Sequence, residues 1–266
     1  MALTDIANSL EDVSSLSIKH GPFLASGAAG IAIFFYYYSM VNNGCAPLAR
    51  DYLEGALTIP PTNVHTPVSL HGGICGIAWM MEHLKPLWFE DDSFDPNDEV
   101  DSLLIDYLRD HKDSLPYDLI GGLVGTGVYA IQRYRIKNID QPIQLVLDTI
   151  KAQSSFEEAG ISWFTPPEHL PNWQRALAPK GYYNLGVAHG IPGILTLLGA
   201  LGRIPEYKVQ ALSLLNSAID WLVDKINKNG DLFFPMWVGE SVPPQRPKYG
   251  WCYGDLGVAA AFLALP

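Results

Sequence analysis

Apolar runs entered by a pair of glycines alternate along this chain with segments that are apolar on one side only. The entering phrase is Gly, two residues, Gly. It occurs at Gly27-Ala-Ala-Gly30, Gly73-Ile-Cys-Gly76, Gly122-Leu-Val-Gly125, Gly190-Ile-Pro-Gly193 and Gly254-Asp-Leu-Gly257. Its copies stand about 46 to 68 residues apart, a period that marks a repeat architecture. The runs after Gly30 (Ile-Ala-Ile-Phe-Phe-Tyr-Tyr-Tyr) and after Gly193 (Ile-Leu-Thr-Leu-Leu-Gly-Ala-Leu) are apolar all round, as in helices buried on every side. Between them lie amphipathic stretches. Val100 to Leu108 carries Leu103, Leu104, Tyr107 and Leu108 at helical spacing. Val209 to Ile226 carries Leu212, Leu215, Ile219, Leu222, Val223 and Ile226, and Gln141 to Ala152 is a third such segment. The pattern predicts a single domain over residues 1–266, built from helix pairs, with the all-apolar helices as an inner ring and the one-sided helices outside them.

Strand signals are few. Asp231 to Val238, after Asn229-Gly230, predicts a short hairpin arm. The proline-rich stretches at Ile59-Pro-Pro-Thr, Phe164-Thr-Pro-Pro-Glu and Val242-Pro-Pro-Gln-Arg-Pro predict long loops, which in a compact repeat domain are often functional. The first glycine of each phrase suits a tight turn into a helix, and the second suits close approach of neighbouring helices.

The chain has 266 residues, 48% of them hydrophobic, enough for a substantial core. Its formal charge of −11 argues against a nucleic-acid binder, which needs a basic footprint. Three cysteines at unpaired spacing imply no disulfide framework and a reducing, cytoplasmic setting. The N-terminus has no secretory signal pattern. Phe23 to Val41 and Gly181 to Gly202 are uncharged, but their tyrosines, serines, glycines and, in the second, Asn184, His189 and Pro192 favour buried helices over transmembrane spans.

If the five phrases are equivalent, the residues just before them share one rim. They include Ser26, His71, Asp118, His189, Cys252 and Tyr253. An imidazole, a thiol, a phenol and a carboxylate distant in sequence would then meet among helix N-termini, whose dipoles stabilise anions such as a thiolate. Each also has a plainer reading. Cys252 suits a packed hydrophobe, His189 a satisfied core histidine, Asp118 a helix cap and Tyr253 a packing residue. His71 and Cys75, four apart, permit metal binding but have no evident partners. The acidic runs Glu90 to Asp92 and Asp95 to Asp101 suit solvated loop surface. Glu157 and Glu158 are paired carboxylates only by adjacency.

Two strings, Asn184-Leu-Gly-Val-Ala-His189-Gly-Ile-Pro-Gly193 and Gly250-Trp-Cys252-Tyr253-Gly-Asp-Leu-Gly257, closely resemble the most distinctive phrases of the lanthionine synthetase C family. Tyr117-Asp118-Leu-Ile-Gly-Gly-Leu-Val-Gly125 resembles that family's earlier Asp-containing phrase. The resemblance implies an all-α fold, the α/α toroid, with about five of its seven helix pairs in this chain. It implies a cyclase that adds a peptide cysteine thiol to dehydroalanine or dehydrobutyrine, forming (methyl)lanthionine thioether rings. Its cofactor would be Zn2+ held by Cys, Cys and His.

By matching position, Cys252 is the first zinc ligand, His189 the acid/base, Asp118 the carboxylate that orients it, and Tyr253 a further site residue. Lys248 stands where the family often has arginine, keeping the charge without the fork geometry. The family's Cys-His-Gly phrase, source of the other two ligands, belongs to the next repeat, and this chain ends at Pro266. The expectation is therefore a truncated cyclase, inactive by itself, with His71 and Cys75 poor substitutes as ligands. Its implied partners are a dehydrated precursor peptide and a lanthipeptide dehydratase, with membrane association only through partners. Two other readings remain open: a non-catalytic module of the same fold binding a peptide or glutathione thiol, and an α/α-barrel glycoside hydrolase.

Overall fold

The computed structural model describes residues 2–10, 21–58, 67–85, 95–226, 233–243 and 249–266. The backbone gathers into two compact units, one formed by residues 1–110 and 132–142, the other by 111–131 and 143–266.

The first unit holds α1 (Ala2–Ser9), α2 (Ala28–Ser39), α3 (Ala46–Leu57), α4 (Ile74–His83), nearly all of α5 (Asp98–His111) and the end of α6 (Leu123–Lys137). Alanines 28, 29 and 32 on α2 and 49 and 56 on α3 are buried, so the two helices pack closely. Phe35 stacks on Tyr52 across that seam, with ring centroids 5.6 Å apart. The Tyr52 hydroxyl donates to the Leu10 carbonyl.

At the far end of this unit Arg133, fully buried, is ringed by carboxylates. Its Nε donates to both oxygens of Asp101 at 3.0 and 2.8 Å, and Nη1 to Glu82 at 2.5 Å. Nη2 reaches Asp101 at 2.6 Å, Asp95 at 2.7 Å and Asp98 at 3.4 Å. Lys137 adds a second cation 3.0 Å from Asp95. Burial pushes the Asp95 carboxyl up, but bonds from Arg133, the Asn97 backbone and Lys137 outweigh it and hold its pKa at about 2. Asp95 and Asp101 are thus not solvated surface, whereas Asp98 and Glu99 between them are exposed. The run spans the approach to α5 and its first turn, where a helix N-terminus also favours anions, and folds onto a guanidinium. Glu90 to Asp92 lie outside the described residues.

The second unit holds the start of α6, α7 (Gln141–Ala152), α8 (Asn172–Leu177), α9 (Ile191–Leu201), α10 (Lys208–Asp224) and α11 (Asp255–Leu263). Two small sheets stand between α7 and α11. One is the antiparallel pair β1 (Ser155–Glu157) and β2 (Gly160–Ser162). The other has the order β3 (Phe164–Thr165), β4 (Tyr182–Asn184), β5 (Trp237–Val238), with Tyr183 opposite both Phe164 and Val238. The expected hairpin arm, Asp231 to Val238, is therefore a strand that pairs with a segment some fifty residues upstream; its first two residues, Asp231 and Leu232, lie outside the described residues. Gly160, at φ +148°, lets β2 press on α10, since a Cβ there would strike the Ser217 carbonyl.

Helix α9 meets the expectation of burial on every side: nine of its eleven residues are buried. Gly127 on α6 and Gly199 on α9 are where helices come close. A Cβ at Gly127 would sit 2.9 Å from the Leu197 methyls, and one at Gly199 would sit 3.0 Å from Leu265. Helix α11 is as apolar as α9 but exposes Leu256 and Leu263, and α2 exposes Tyr37. On α10 the buried stripe is Ala211, Leu214, Leu215, Ala218, Trp221 and Leu222. That is rotated from the predicted stripe, because small alanines rather than Leu212 and Ile219 face the core. Among the described residues no helix is long and apolar enough to cross a membrane.

In all five phrases the first glycine immediately precedes a helix: α2, α4, α6, α9 and α11. At Gly254, with φ +99°, the backbone itself calls for glycine, as a turn into the helix does; at the other four the reason differs from the expected tight turn. Gly27, Gly73 and Gly190 have extended backbone, with φ of −145°, −143° and −137°, open to any residue. What excludes a side chain is the chain's own carbonyl six residues upstream. A Cβ at Gly73, Gly122 or Gly190 would overlap the oxygen of Pro67, Pro116 or Asn184. The second glycines do the same: Gly30, Gly76, Gly193 and Gly257 face the carbonyls of Leu24, Leu70, Val187 and Trp251. Each loop thus folds back over the start of its helix. In three cases the first helical N–H donates to a carbonyl seven residues back: Ala28 to Gly21, Ile74 to Pro67 and Leu123 to Pro116, at 2.9–3.0 Å. Donors that a helix start leaves unpaired are satisfied this way.

Candidate functional site

In the second unit three of these folded-back loops meet. The Leu119 N–H of the third loop donates to the Ala188 carbonyl of the fourth at 3.1 Å. Gly186 of the fourth loop lies against the Cys252 carbonyl and the Tyr253 ring of the fifth. Main-chain closeness therefore sets which side chains can face one another.

Asp118 uses both carboxylate oxygens. Oδ1 accepts the Gly121 N–H at 2.7 Å and so closes the turn into α6. Oδ2 lies 3.2 Å from His189 Nδ1. One oxygen thus braces the loop before α6, not the helix's own N–H groups, and the other faces the imidazole. With Nδ1 facing the carboxylate, Nε2 is the nitrogen left to the cleft. The pair is open to solvent, His189 at 46% exposure and Asp118 at 19%.

Asp118, His189 and Tyr253 line a cleft of about 460 Å3. Strand β4 supplies its floor: Tyr182 and Asn184 point to the cleft side, and Tyr183 points away, against Phe164 and Trp221. Asn184 Oδ1 accepts the Gly186 N–H at 2.9 Å, and its Nδ2 donates to the Tyr253 hydroxyl at 3.4 Å. Behind Tyr253 the rings continue. Trp237 meets it edge-on at 6.4 Å and stacks on Tyr182 at 4.8 Å. Tyr117 is buried beside Asp118 and shares a 2.5 Å hydrogen bond with Thr165. Burial pushes the Tyr117 and Tyr182 phenols well up, so both stay protonated donors at neutral pH.

Cys252 is exposed and adjoins Tyr253 on the fifth loop, but it is not among the side chains lining this cleft. Lys248 lies outside the described residues. In the first unit, His71 accepts the Ala25 N–H through its carbonyl at 2.9 Å. Cys75 is wholly buried on α4, and burial, then the Asp101 charge, pushes its thiol far up, which keeps the proton on sulfur. Glu157, read as half of a carboxylate pair, accepts from the Tyr183 hydroxyl at 2.7 Å and from Ser155 at 3.1 Å.

The wall of the cleft opposite His189 was not read as a site from the sequence. It is formed by Pro166, His169, Leu170, Pro171 and Gln174. The signal that pointed to it was the long proline-rich loop at Phe164-Thr-Pro-Pro-Glu.

A family model described as lanthionine synthetase C-like protein matches residues 20–265. The chain belongs to the lanthionine synthetase C-like family. Among solved structures it matches nisin cyclase with a TM-score of 0.77 at 21% sequence identity, over 99% of this chain and 69% of that one. That likeness shows the fold, the α/α toroid that the family resemblance implies. Among curated proteins no sequence matches.

The family implies zinc, and the residues here can be tested against it. Among the described residues no group of three His, Cys, Asp or Glu side chains is placed to hold a metal ion. Cys252 is a single donor, and Cys75 keeps its proton. The donor set of the described residues does not fit a three-ligand zinc centre, so no chemical step is drawn through the metal.

Proposed function

We propose that this chain is a lanthipeptide cyclase-like protein that binds a dehydrated, cysteine-bearing precursor peptide and supplies the proton-handling part of thioether formation. The observation that carries this is the His189–Asp118 pair, 3.2 Å apart at the edge of a cleft that Tyr253 also lines. In the reaction, sulfur bonds to Cβ of the dehydro residue and the Cα=Cβ electron pair moves toward Cα and the adjoining carbonyl. Sulfur loses its proton and Cα gains one, so the sum is addition of S–H across the double bond. His189 in its protonated form gives the Cα proton from Nε2, while Asp118 holds Nδ1–H and fixes the ring. Tyr253 bounds the cleft beside the reacting carbons. The whole of residues 1–266 acts as one domain in this reading, in the cytoplasm, beside a dehydratase that supplies the substrate.

Generating the thiolate is the half that the described residues do not provide. By itself the chain is expected to bind peptide and to form few or no rings. The test mixes the purified chain with a dehydrated, cysteine-containing peptide and equimolar zinc, then counts free thiols by alkylation and mass spectrometry. Saturable binding with thiols retained is expected, as is loss of zinc on dialysis. One equivalent of zinc kept through dialysis overturns the metal part, and absence of binding overturns the whole.

A second reading, a thiol- or glutathione-binding module without turnover, is favoured by the lone donor Cys252. Adding a polypeptide that carries the family's Cys-His-Gly repeats separates the two. Ring formation that then depends on His189 supports the enzyme; continued binding without product supports the module.

A further inference from the structure

The cleft is larger than the reaction needs. Its volume of about 460 Å3 leaves room beyond one reacting residue, and the loop between β3 and β4 supplies part of its lining. That wall is mostly apolar, and Pro166 and Pro171 offer no N–H. Two polar side chains interrupt it, His169 and Gln174, and the second has a fixed orientation. Gln174, half-buried on α8, has its carboxamide oxygen fixed by the Tyr182 hydroxyl at 2.8 Å. Tyr182 is itself locked, paired with Thr165 across the sheet and stacked on Trp237. With the oxygen engaged, the orientation of the amide is set, and its nitrogen is turned to the other side with two donors to place.

We propose that Gln174 is a peptide-positioning residue: its Nε2 donates to a main-chain carbonyl of the bound peptide, while Leu170 and Pro171 receive an apolar side chain of that same segment. This rests on the reading that the cleft takes a peptide, and it names the part of the peptide that is read. An oriented amide matches a carbonyl, the acceptor that every peptide residue carries, and the apolar flank matches a side chain beside it. A chain held at this wall enters the His189 end in a single direction.

The probe is a fluorescein-labelled synthetic peptide containing dehydroalanine, an apolar residue and cysteine. Gln174→Met keeps the volume and removes the donors; Gln174→Glu keeps the acceptor for Tyr182 and removes the donors. Both are expected to bind the probe about 3- to 10-fold more weakly, the loss of one hydrogen bond, with the thermal midpoint unchanged in Gln174→Glu and lower in Gln174→Met, which takes the acceptor from the Tyr182 hydroxyl. In the parent chain, the Gln174 side-chain amide resonances are expected to shift as probe is added, together with those of the His189 ring. A probe that moves His189 while leaving the Gln174 amide still, or that binds the Met variant as well as the parent, overturns this inference and leaves the cyclase reading intact. A probe that moves neither overturns both.

Discussion

Two clusters of opposite charge in this protein are built from the same kinds of groups and behave differently. In the first unit Arg133 is sealed among Glu82, Asp95 and Asp101, each of them nearly inaccessible to solvent. In the second, His189 meets Asp118 with almost half of the imidazole in water. A sealed guanidinium cannot leave its carboxylates without stranding them in a poor dielectric, so its role is to hold helices together. An open imidazole loses little by changing its charge, so it can trade a proton with a ligand. Burial decides which of the two roles a charged pair performs.

The largest test of this contrast is Arg133→Ala, which strips Glu82 and Asp101 of their cation and leaves Asp95 with Lys137 alone. A loss of about 3–5 kcal/mol in urea denaturation is expected, enough to unfold a marginal domain. Acid should find the same cluster next. The Asp95 pKa is lowered to about 2 in the folded state, against about 3.9 unfolded. Its contribution, about 2 kcal/mol, is therefore present above the unfolded value and lost as pH falls through the folded one. In Asp95→Asn that part of the acid titration of stability should flatten between about pH 4 and 2.

The glycine-led loops sharpen the comparison from the other side. Gly190→Ala drives a methyl into the Asn184 carbonyl and should cost about 1–3 kcal/mol, read as a lower thermal midpoint. Gly121→Ala in a neighbouring loop, where a Cβ would find only the Asp118 carboxylate at 3.9 Å, should leave the midpoint nearly unchanged. The smallest stability effect belongs to Asp118→Asn. An exposed pair contributes about 0–1 kcal/mol, so the midpoint should barely move, while His189-dependent proton delivery falls.

The helix starts were legible because glycine leaves a mark at each of them, and a repeated mark gives the register. The reason for the mark was not legible. A carbonyl six residues back has no letter in the sequence, and a turn or a helix crossing would call for glycine equally. His189 and Asp118 could be matched because both stand at fixed offsets from those glycines and within strings that resemble a known family. The Arg133 cluster had no such help. Glu82, Asp95 and Asp101 precede their cation by 51, 38 and 32 residues, and a run of acids looks the same whether water or a guanidinium faces it. The cleft wall failed for another reason. Strands two or three residues long carry no readable period, so Tyr182 and Gln174 gave no sign of meeting.

Because each loop closes its own helix start with its own carbonyls, a repeat brings its lid with it. A segment of this kind can be duplicated, or exchanged with the matching segment of a relative, with few main-chain bonds to remake, such as Ala25 N–H to the His71 carbonyl and Leu119 N–H to the Ala188 carbonyl. Diversification in such a lineage is then freed from folding: the rim letters can drift toward new peptides while the glycines underneath stay put.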